Sequence, residues 1–593
     1  MARCASWTRP IPAPVLRGAA SPGTADGMTT RQDMTNPTPS LQSRPAAPRA
    51  GITAPLRQPL FRRIWLASLL SNLGFMILSV GAGWTMTELT PSADMVALVQ
   101  TALMLPMMLL SLPAGAIADM YDRRKVGLSA LCLPLAAACG LCAIMPAGLI
   151  TPWLMLGFCF LAGGGMALFG PSWQASVSEQ VPPGDLPPAV ALNSISFNIA
   201  RSFGPAIGGL IVAAAGSVVA FGVTAFSYVP LFIVMLLWRR VPVPSRLPPE
   251  RIDRAVHAGI RYVFYSHPLR AVLIRTFAIG MTGGSVSALM PLVTRDLVHG
   301  QAQTYGIMLG AFGIGSVIGA LGISRVRRYL SNEGATSVFT LLMAACIAGV
   351  AFSSLTLVTI IMLLGAGIGW MVCLTLCNVT MQTAVPRWVT GRAVAAFQTA
   401  IAGGIAIGSW LWGQVAEASG VSAAMLSSAV ALVFTLPLAL LWRMPEVAET
   451  DREAIDRADP EVALALTGRS GPIIIEIEYR IDSQEARTFY HRMQAVRAMR
   501  LRNGAFDWSI SRDVERPDYW FERYYFPTWL DYLRQRSRTT PEEQAIHDLA
   551  LHYHRGDPVL RVRRLLERPF GSVRWKEDAP DFGPKIGARP DGP

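Results

Sequence analysis

Lysine is nearly missing from this sequence: Lys125, Lys576 and Lys585 are the only three in 593 residues, so arginine carries almost all of the basic side of a formal net charge of +13. Charge of either sign is scarce, since Asp, Glu, Lys and Arg make up 15% of the chain, against about 25% in a soluble domain. A soluble enzyme of this length is excluded on that ground. Acids are absent altogether from the apolar stretches between residues 60 and 443, and with them the Asp or Glu relay that a buried proton path ordinarily uses. The nearest acids, Glu88, Asp119 and Glu179, stand at the ends of those stretches. Cysteine offers no disulfide framework: of eight, seven (Cys132, Cys139, Cys142, Cys159, Cys346, Cys373 and Cys377) fall inside apolar segments, where free thiols act as packing residues.

What the chain has in quantity is apolar runs of about 20 residues, the length that crosses a bilayer as a helix. They are predicted at 64–86, 95–118, 126–148, 152–175, 189–212, 217–238, 272–294, 304–323, 335–353, 355–378, 393–415 and 421–442. Between them charge alternates. Arg62 and Arg63, Arg123 to Lys125, the run from Arg239 to Arg275, Arg325 to Arg328, Arg387 with Arg392, and Arg443 fall on one side; Glu88, Asp94, Arg295 and Glu417 fall on the other. Positive charge stays inside, which places both termini in the cytoplasm of a multi-pass inner (plasma) membrane protein and assigns the basic charge to topology, leaving no nucleic-acid partner to explain it.

The chain also repeats itself, at an offset read as a constant 204 residues. Gly115-Ala116-Ile117 with Arg123-Arg124 returns as Gly319-Ala320-Leu321 with Arg327-Arg328; Gly163 and Gly165 return as Gly367 and Gly369, Val181-Pro182 as Val385-Pro386, and Gly204 and Gly209 as Gly408 and Gly413. Six spans repeated in one orientation make two parallel halves, an architecture of transporters. The expected organisation is a disordered tail (1–58), a six-helix bundle (59–238), a basic cytoplasmic loop (239–270), a second bundle (271–443), a linker (444–470), a soluble domain (471–570) and a second disordered tail (571–593).

Between the second and third spans stands Gly115-Ala116-Ile117-Ala118-Asp119-Met120-Tyr121-Asp122-Arg123-Arg124-Lys125. It resembles the G-x-x-x-D-x-x-G-R-[RK] loop of the major facilitator superfamily, with Asp122 where that family has Gly. Gly115 is expected to allow close helix approach. The resemblance makes Gly115, Asp119, Arg123 and Arg124 a gating latch that forms and breaks as the halves rock. In the fifth span, Gly204-Pro205-Ala206-Ile207-Gly208-Gly209 resembles the superfamily's G-P-x-x-G-G motif, found mostly in exporters; Pro205 bends the helix while Gly204, Gly208 and Gly209 let a neighbour approach.

Arg201 lies about 18 Å along the fifth span and so near the middle of the membrane, where a charge costs about 2.5–3.5 kcal/mol on insertion scales. Ser194, Asn198, Arg201, Pro205 and Gly208 share one helical face. Carbonyls and water, or an anionic substrate, are the two ways of answering that charge. Gln174 and Asn378 correspond at the repeat offset, Gln382 follows Asn378 by one turn, and Asn72 is a weaker candidate in the first span. The resemblance makes these the lining of a central substrate cavity; helix-to-helix hydrogen bonding is the alternative.

Beyond residue 470 strands at 473–481, 506–514, 519–526 and 559–566, with helices at 483–501, 528–536 and 541–553, follow the β-α-β-β-α-β order of ferredoxin-like domains. Such a tail is similar to dimeric α/β barrels of small monooxygenases, and a transporter that carries it resembles the transmembrane secretion effector branch of the superfamily, which includes siderophore exporters of the enterobactin type. His547, His552 and His554 are read as a solvated face with no metal, and Trp508, Trp520 and Trp529 as core or dimer contacts.

The reading is therefore an all-α twelve-helix major facilitator fold plus a small α+β domain, not an enzyme. It exports a small amphiphilic or anionic molecule (siderophore, drug or metabolite) by alternating access, with no cofactor. A proton counter-ion follows from the resemblance alone, and a homodimer through an apolar sheet face of the C-terminal domain from its incomplete core. The rival is a membrane-anchored enzyme whose chemistry, monooxygenase-like or haem-dependent, resides in that domain.

Overall fold

The computed structural model describes residues 53–238, 260–444 and 460–567, apart from positions 178, 263, 387, 388, 461, 465 and 557–560; of the expected tails, 1–52 and 571–593 lie outside the described residues, whereas Ala54–Arg57, expected to be disordered, forms a 3-10 turn with a proline near its start that leads into the first helix. Hydrocarbon offers the backbone no hydrogen-bond partner, so every apolar run closes its own ladder as a helix. These are α1 (Pro59–Leu89), α2 (Ala93–Met120), α3 (Arg123–Ile144), α4 (Pro152–Val177), α5 and α6 (together Leu186–Leu237), α7 (His267–Leu297), α8 (Ala302–Tyr329), α9 (Asn332–Phe352), α10 (Thr356–Thr383), α11 (Thr390–Ser419) and α12 (Val421–Val433). A last short turn, Leu438–Leu441, extends α12.

Leu186–Leu237 is 52 residues long, about 78 Å at 1.5 Å per residue and more than twice the hydrocarbon thickness. It is two crossings. Gly216, at φ 81° and ψ 166°, reverses the chain, and its counterpart 204 residues on, Gly420 at φ 88° and ψ 161°, does the same between α11 and α12. Only glycine holds that conformation readily.

The two halves repeat, but not at one constant offset. Gly163 in α4 seats on the Leu103 carbonyl of α2, and Gly367 in α10 seats on the Phe312 carbonyl of α8. The glycines are 204 residues apart and their partners 209. Five residues are absorbed between α3 and α4, where seven connecting residues stand against three between α9 and α10, and α3 is one residue longer than α9. Arg327 and Arg328 accordingly sit in the last turn of α8, whereas Arg123 and Arg124 open α3.

The C-terminal domain forms one antiparallel sheet in the order β2-β3-β1-β4, from β1 (Ile473–Arg480), β2 (Phe506–Arg512), β3 (Tyr519–Phe526) and β4 (Arg561–Leu566). Helices α13 (Ala486–Arg502), α14 (Trp529–Ser537) and α15 (Pro541–Leu551) complete it. Ile473, Ile475, Ile477 and Tyr479 alternate onto the core face and pack on Phe489, Met493 and Val496 of α13. The opposite face, expected to be apolar, is laced with charge. Arg523 and Arg563 both pair with Glu476, at 2.5 and 3.3 Å, and Arg561 lies 3.9 Å from Glu478. Period-two alternation puts these residues outward as surely as it puts the isoleucines in.

Within the core, Glu522 is fully buried and accepts from Tyr479 Oη at 2.9 Å, Arg500 Nε at 3.1 Å and Trp508 Nε1 at 3.0 Å. Burial raises its pKa, but the Arg500 charge and the Arg500 and Trp508 hydrogen bonds outweigh it and hold the carboxyl below its ordinary 4.5. A carboxylate whose folded pKa is lowered adds stability above its unfolded pKa and loses it as pH falls through the folded one. Amide exchange along β3 in the whole chain should therefore quicken as pH drops below about 4, after correction for the intrinsic rate. In Glu522→Gln that acid step should be absent, and equal steps in both proteins would refute the assignment. For the reversals, Gly216→Ala and Gly420→Ala should each cost about 1–3 kcal/mol, read as a lower melting temperature in detergent. Gly222→Ala, whose added carbon meets only Cys142 Sγ at 3.8 Å, should melt like the parent.

Candidate functional site

The two bundles meet along two helix pairs, α5 with α8 and α2 with α11, and both seams are built from residues with little or no side chain. In the first seam Gly209 lies on the backbone of Gly306, Gly310 on Ala206, and Gly313 on Ser202, whose hydroxyl donates to the Gly313 carbonyl at 3.1 Å. In the second, Gly413 lies on Ala97 and Asp94, Gly403 on Met108, and Thr101 donates to the Ala406 carbonyl at 2.9 Å. Without intervening side chains, backbones approach to van der Waals contact. Gly204 and Gly208 of the same motif serve a different neighbour: they seat α1 at Met76, Ile77 and Val80. Pro205 is buried beside them, its carbonyl near Gly306.

At the end away from the arginine-rich loops, polar contacts complete both seams. Glu417 of α11 accepts the Ala93 amide at 2.5 Å, and Gln414 donates to Asp94 at 3.3 Å. Ala93 is the first residue of α2, so a carboxylate from one bundle answers the positive end of a helix in the other, an interaction of about 0.3–1 kcal/mol. Arg295 reaches the Thr87 carbonyl at 3.5 Å, and Trp84 stacks on Tyr305 with ring centroids 6.2 Å apart. Toward the arginine-rich end Gly115, Gly322 and Gly391 have no atom of the described residues within 4 Å of where a Cβ would stand. Among the described residues the polar contacts between the bundles thus gather at the far end, which leaves the arginine-rich end the more open one. Close approach, expected of Gly115, is not made in this conformation.

Arg201 stands at the middle of α5, where the seam ends. Its guanidinium carbon lies 5.8 Å from the ring centroid of Trp370 in α10, so the contact bridges the two halves. Among the described residues no carboxylate pairs with it. Trp370 is buried and tilted against Phe312 at 6.4 Å; no motif or repeat position singled it out in the sequence. Asn378 and Gln382, two and three turns beyond Trp370 toward the open end, are joined by a 3.0 Å hydrogen bond. Gln174 is exposed on α4, Asn72 is half-buried on α1, and Asn198 donates to the Ser194 carbonyl of its own helix at 2.9 Å. Arg201 and Trp370 are in contact across the halves, whereas the amide residues are distributed around the opening.

In the α2–α3 loop Asp122 caps α3, accepting the Arg124 amide at 2.9 Å, which gives the acid a local purpose where the resembling motif has glycine. Arg123 pairs with Glu179 beyond α4 at 2.8 Å, and Arg124 donates to the Met235 carbonyl at the end of α6 at 3.1 Å. The two arginines therefore tie three helices of one bundle together. The Asp119 side chain lies outside the described residues. The second bundle has its own clasp, which sequence reading assigned to loop charge. Arg275 is buried within α7, pairs with Glu333 at 2.7 Å, and Glu333 accepts the Met444 amide at 3.1 Å.

His547, His552 and His554 do not form a solvated face together. His547 Nε2 lies 3.4 Å from the Tyr479 hydroxyl, and His554 Nδ1 accepts the Arg480 amide at 2.9 Å; His552 alone is exposed. Among the described residues no group of three or more His, Cys, Asp or Glu could hold a metal.

A family described as "Transmembrane secretion effector" matches residues 50–570, and the chain belongs to it. The chain is 27% identical over 310 residues to the "Staphyloferrin A transporter" of Staphylococcus aureus, covering 51% of this chain and 77% of that protein. It is 27% identical over 405 residues to the "Multidrug efflux pump Tap" of Mycolicibacterium fortuitum, covering 65% and 96%. Among solved structures, a bacterial homologue of the human lysosomal transporter Spinster, in an inward-facing and unoccupied conformation, aligns at a TM-score of 0.53 with 14% identity, over 65% of this chain and 97% of that one. The protein is a multi-pass membrane transporter of the major facilitator fold.

If the glycine seam closes the cleft, Gly306→Val should part α5 from α8, because an added carbon meets the Gly209 backbone. A cysteine placed at Ala97 should then react with a soluble maleimide in detergent at least several-fold faster than in the parent. Gly322→Val, which enters open space, should leave that rate unchanged.

Proposed function

We propose that this transporter exports a small amphiphilic or anionic molecule from the cytoplasm by alternating access, with the arginine-rich end cytoplasmic and the cleft opening to that side. The observation that carries the reading is Arg201, a cation at mid-height between the bundles that meets no carboxylate among the described residues and lies over the π face of Trp370. A guanidinium so placed can take a carboxylate or a pair of phenolic oxygens in bidentate fashion while the indole packs on the same molecule. The names of the relatives, a siderophore transporter and a drug efflux pump, agree with a cargo of this kind.

The charge distribution supports the orientation, since the loops around Arg62, Arg123 and Arg327 fall together at the open end. Gly115, Asp119, Arg123 and Arg124 would act as the cytoplasmic latch, re-engaging the second bundle when the cleft closes on that side. Proton antiport would use acids at the far end, Asp94 and Glu417, which hold the extracellular seam. Protonating Glu417 would release the Ala93 amide and loosen that seam. A homodimer through the C-terminal domain would pair charged sheet faces, with Glu476 and Glu478 of each copy among the arginines of the other.

Efflux of a compound panel from loaded cells identifies the cargo and then tests the site. Arg201→Lys keeps the charge but loses the planar fork, and should raise the half-saturation concentration roughly tenfold, equivalent to about 1.4 kcal/mol, at unchanged membrane abundance. Trp370→Leu should weaken the same cargo. Unaltered half-saturation in both variants would remove Arg201 and Trp370 from the cargo site, and an impermeant thiol reagent labelling a cysteine at Ser331 from outside would reverse the orientation.

A further inference from the structure

The C-terminal domain contains a cleft of about 600 Å³, open mouth included, between its sheet and its helices. Its floor is apolar, made by Ile475, Ile477 and Val562 of the sheet, while Arg500, Arg536 and Arg564 converge on it from α13, α14 and β4. The carboxylates nearest the cleft are already engaged. Glu522, behind the wall, holds Arg500; Glu543, the one acid lining it, accepts from Arg502 at 2.7 Å and Asn503 at 2.8 Å. Arg564 donates its Nε to the Tyr532 hydroxyl at 2.8 Å, and among the described residues meets no carboxylate. Arg500 lies over the Tyr524 ring, its guanidinium carbon 4.7 Å from the centroid. Arg564, exposed at the mouth, and Arg500, buried at the wall, thus present guanidinium groups beside an apolar floor, the pairing that recognises a carboxylate on an apolar body.

The cleft is also wired to the membrane part. Arg502, held by Glu543, lies over the ring of Tyr262 at 5.4 Å, and Tyr262 is 2% exposed. Gly504, at φ 114°, brings the chain against Arg261, whose Nη2 would stand 2.9 Å from a Cβ there. Residues 260–262 belong to the segment that joins the two six-helix bundles, so the cleft wall and the inter-bundle connection share one chain of contacts: Glu543, Arg502, Tyr262.

We propose that this cleft binds a small organic anion with a planar apolar body, and that its occupancy is transmitted through Glu543 and Arg502 to the segment joining the bundles, making the C-terminal domain a cytoplasmic sensor that sets transport rate. The carboxylate would engage Arg564 and Arg500, and the ring would lie on Ile477 and Val562 beside Tyr524. This site is separate from the Arg201 cleft, and the inference stands whichever compound is exported.

The test uses the full chain in nanodiscs and calorimetry with benzoate and naphthoate, against the uncharged benzamide and naphthamide. At least one acid should bind saturably at one site per chain and neither amide should. Arg564→Gln, and Val562→Trp which fills the floor, should each weaken binding at least tenfold, while Arg201→Ala should not alter it. Arg502→Gln should keep binding yet lose the ligand-induced change in hydrogen exchange over residues 260–266, which the parent should show. Saturable binding that survives both cleft variants, that vanishes in Arg201→Ala, or that amides reproduce would overturn the proposal, as would failure of both acids to bind. Retained exchange coupling in Arg502→Gln would overturn the relay. None of these readings requires transport, so they stand apart from any failure to identify a cargo.

Discussion

Everything the cleft can do depends on two bundles touching along backbone. A lipid tail is as apolar as leucine, so helices in a bilayer gain little by hiding hydrocarbon from one another, and their association rests on close packing and on hydrogen bonds. In this chain Gly209 on Gly306 and Gly413 on Ala97 supply the first, and Ser202 to Gly313 and Thr101 to Ala406 the second. These contacts are related by the internal repeat: Ala97 and Gly306 are 209 residues apart, Gly209 and Gly413 are 204. The two seams are thus counterparts in the repeat. A seam in which few side chains interlock, Met108 over Gly403 being one, can also separate without disordering a core.

The ends of the bundles are governed differently. There the helices leave backbone groups without intrahelical partners, and the protein answers them with charge. Asp122 caps α3, Arg124 covers the last carbonyls of α6, Glu333 holds the Met444 amide, and Glu417 covers the start of α2. The first three act within a bundle and keep it rigid. The fourth acts between bundles, at the closed end. Rigid bundles joined by a separable seam are what a rocking transporter needs, and here the same chemistry serves both, distinguished only by which helix supplies the partner.

Much of this was legible because the membrane reduces the choices. Twenty apolar residues can only be a helix, positive loops gather on one side, and Gly204-Pro205 with Gly208-Gly209 announces close packing. The repeat was legible too, but a gapless offset hid the five residues absorbed between α3 and α4, and so misplaced Arg327 and Arg328. Trp370 could not be found, because a tryptophan in an apolar run carries no polar signal; what marks it is Arg201 arriving from the other half. The clasp of Arg275 with Glu333 was hidden in the same way, its partners being 58 residues apart. In the soluble domain the strand pattern was clear, yet His547 and His554 were misread, since which face a histidine takes depends on the Tyr479 it meets in three dimensions.

The two arginines embedded in the bundles show how the remaining balance is struck. Arg275 lies near a helix end and owns a carboxylate, Glu333, so its charge is answered in every state that keeps the second bundle intact. Among the described residues Arg201 meets no carboxylate and lies over the face of Trp370. A cation–π contact contributes about 0.5–2 kcal/mol, while a guanidinium at mid-membrane costs about 2.5–3.5 kcal/mol on the mildest scale. In the proposed cycle, water in the open cleft makes up the difference, and closing the cytoplasmic end would expel that water and leave the charge uncompensated. In the proposed cycle, an anionic cargo resolves this by replacing the water before the bundles rock. Empty closure then carries an electrostatic penalty that loaded closure avoids, so a single unpaired cation placed where the seam ends would couple movement of the protein to the presence of its cargo.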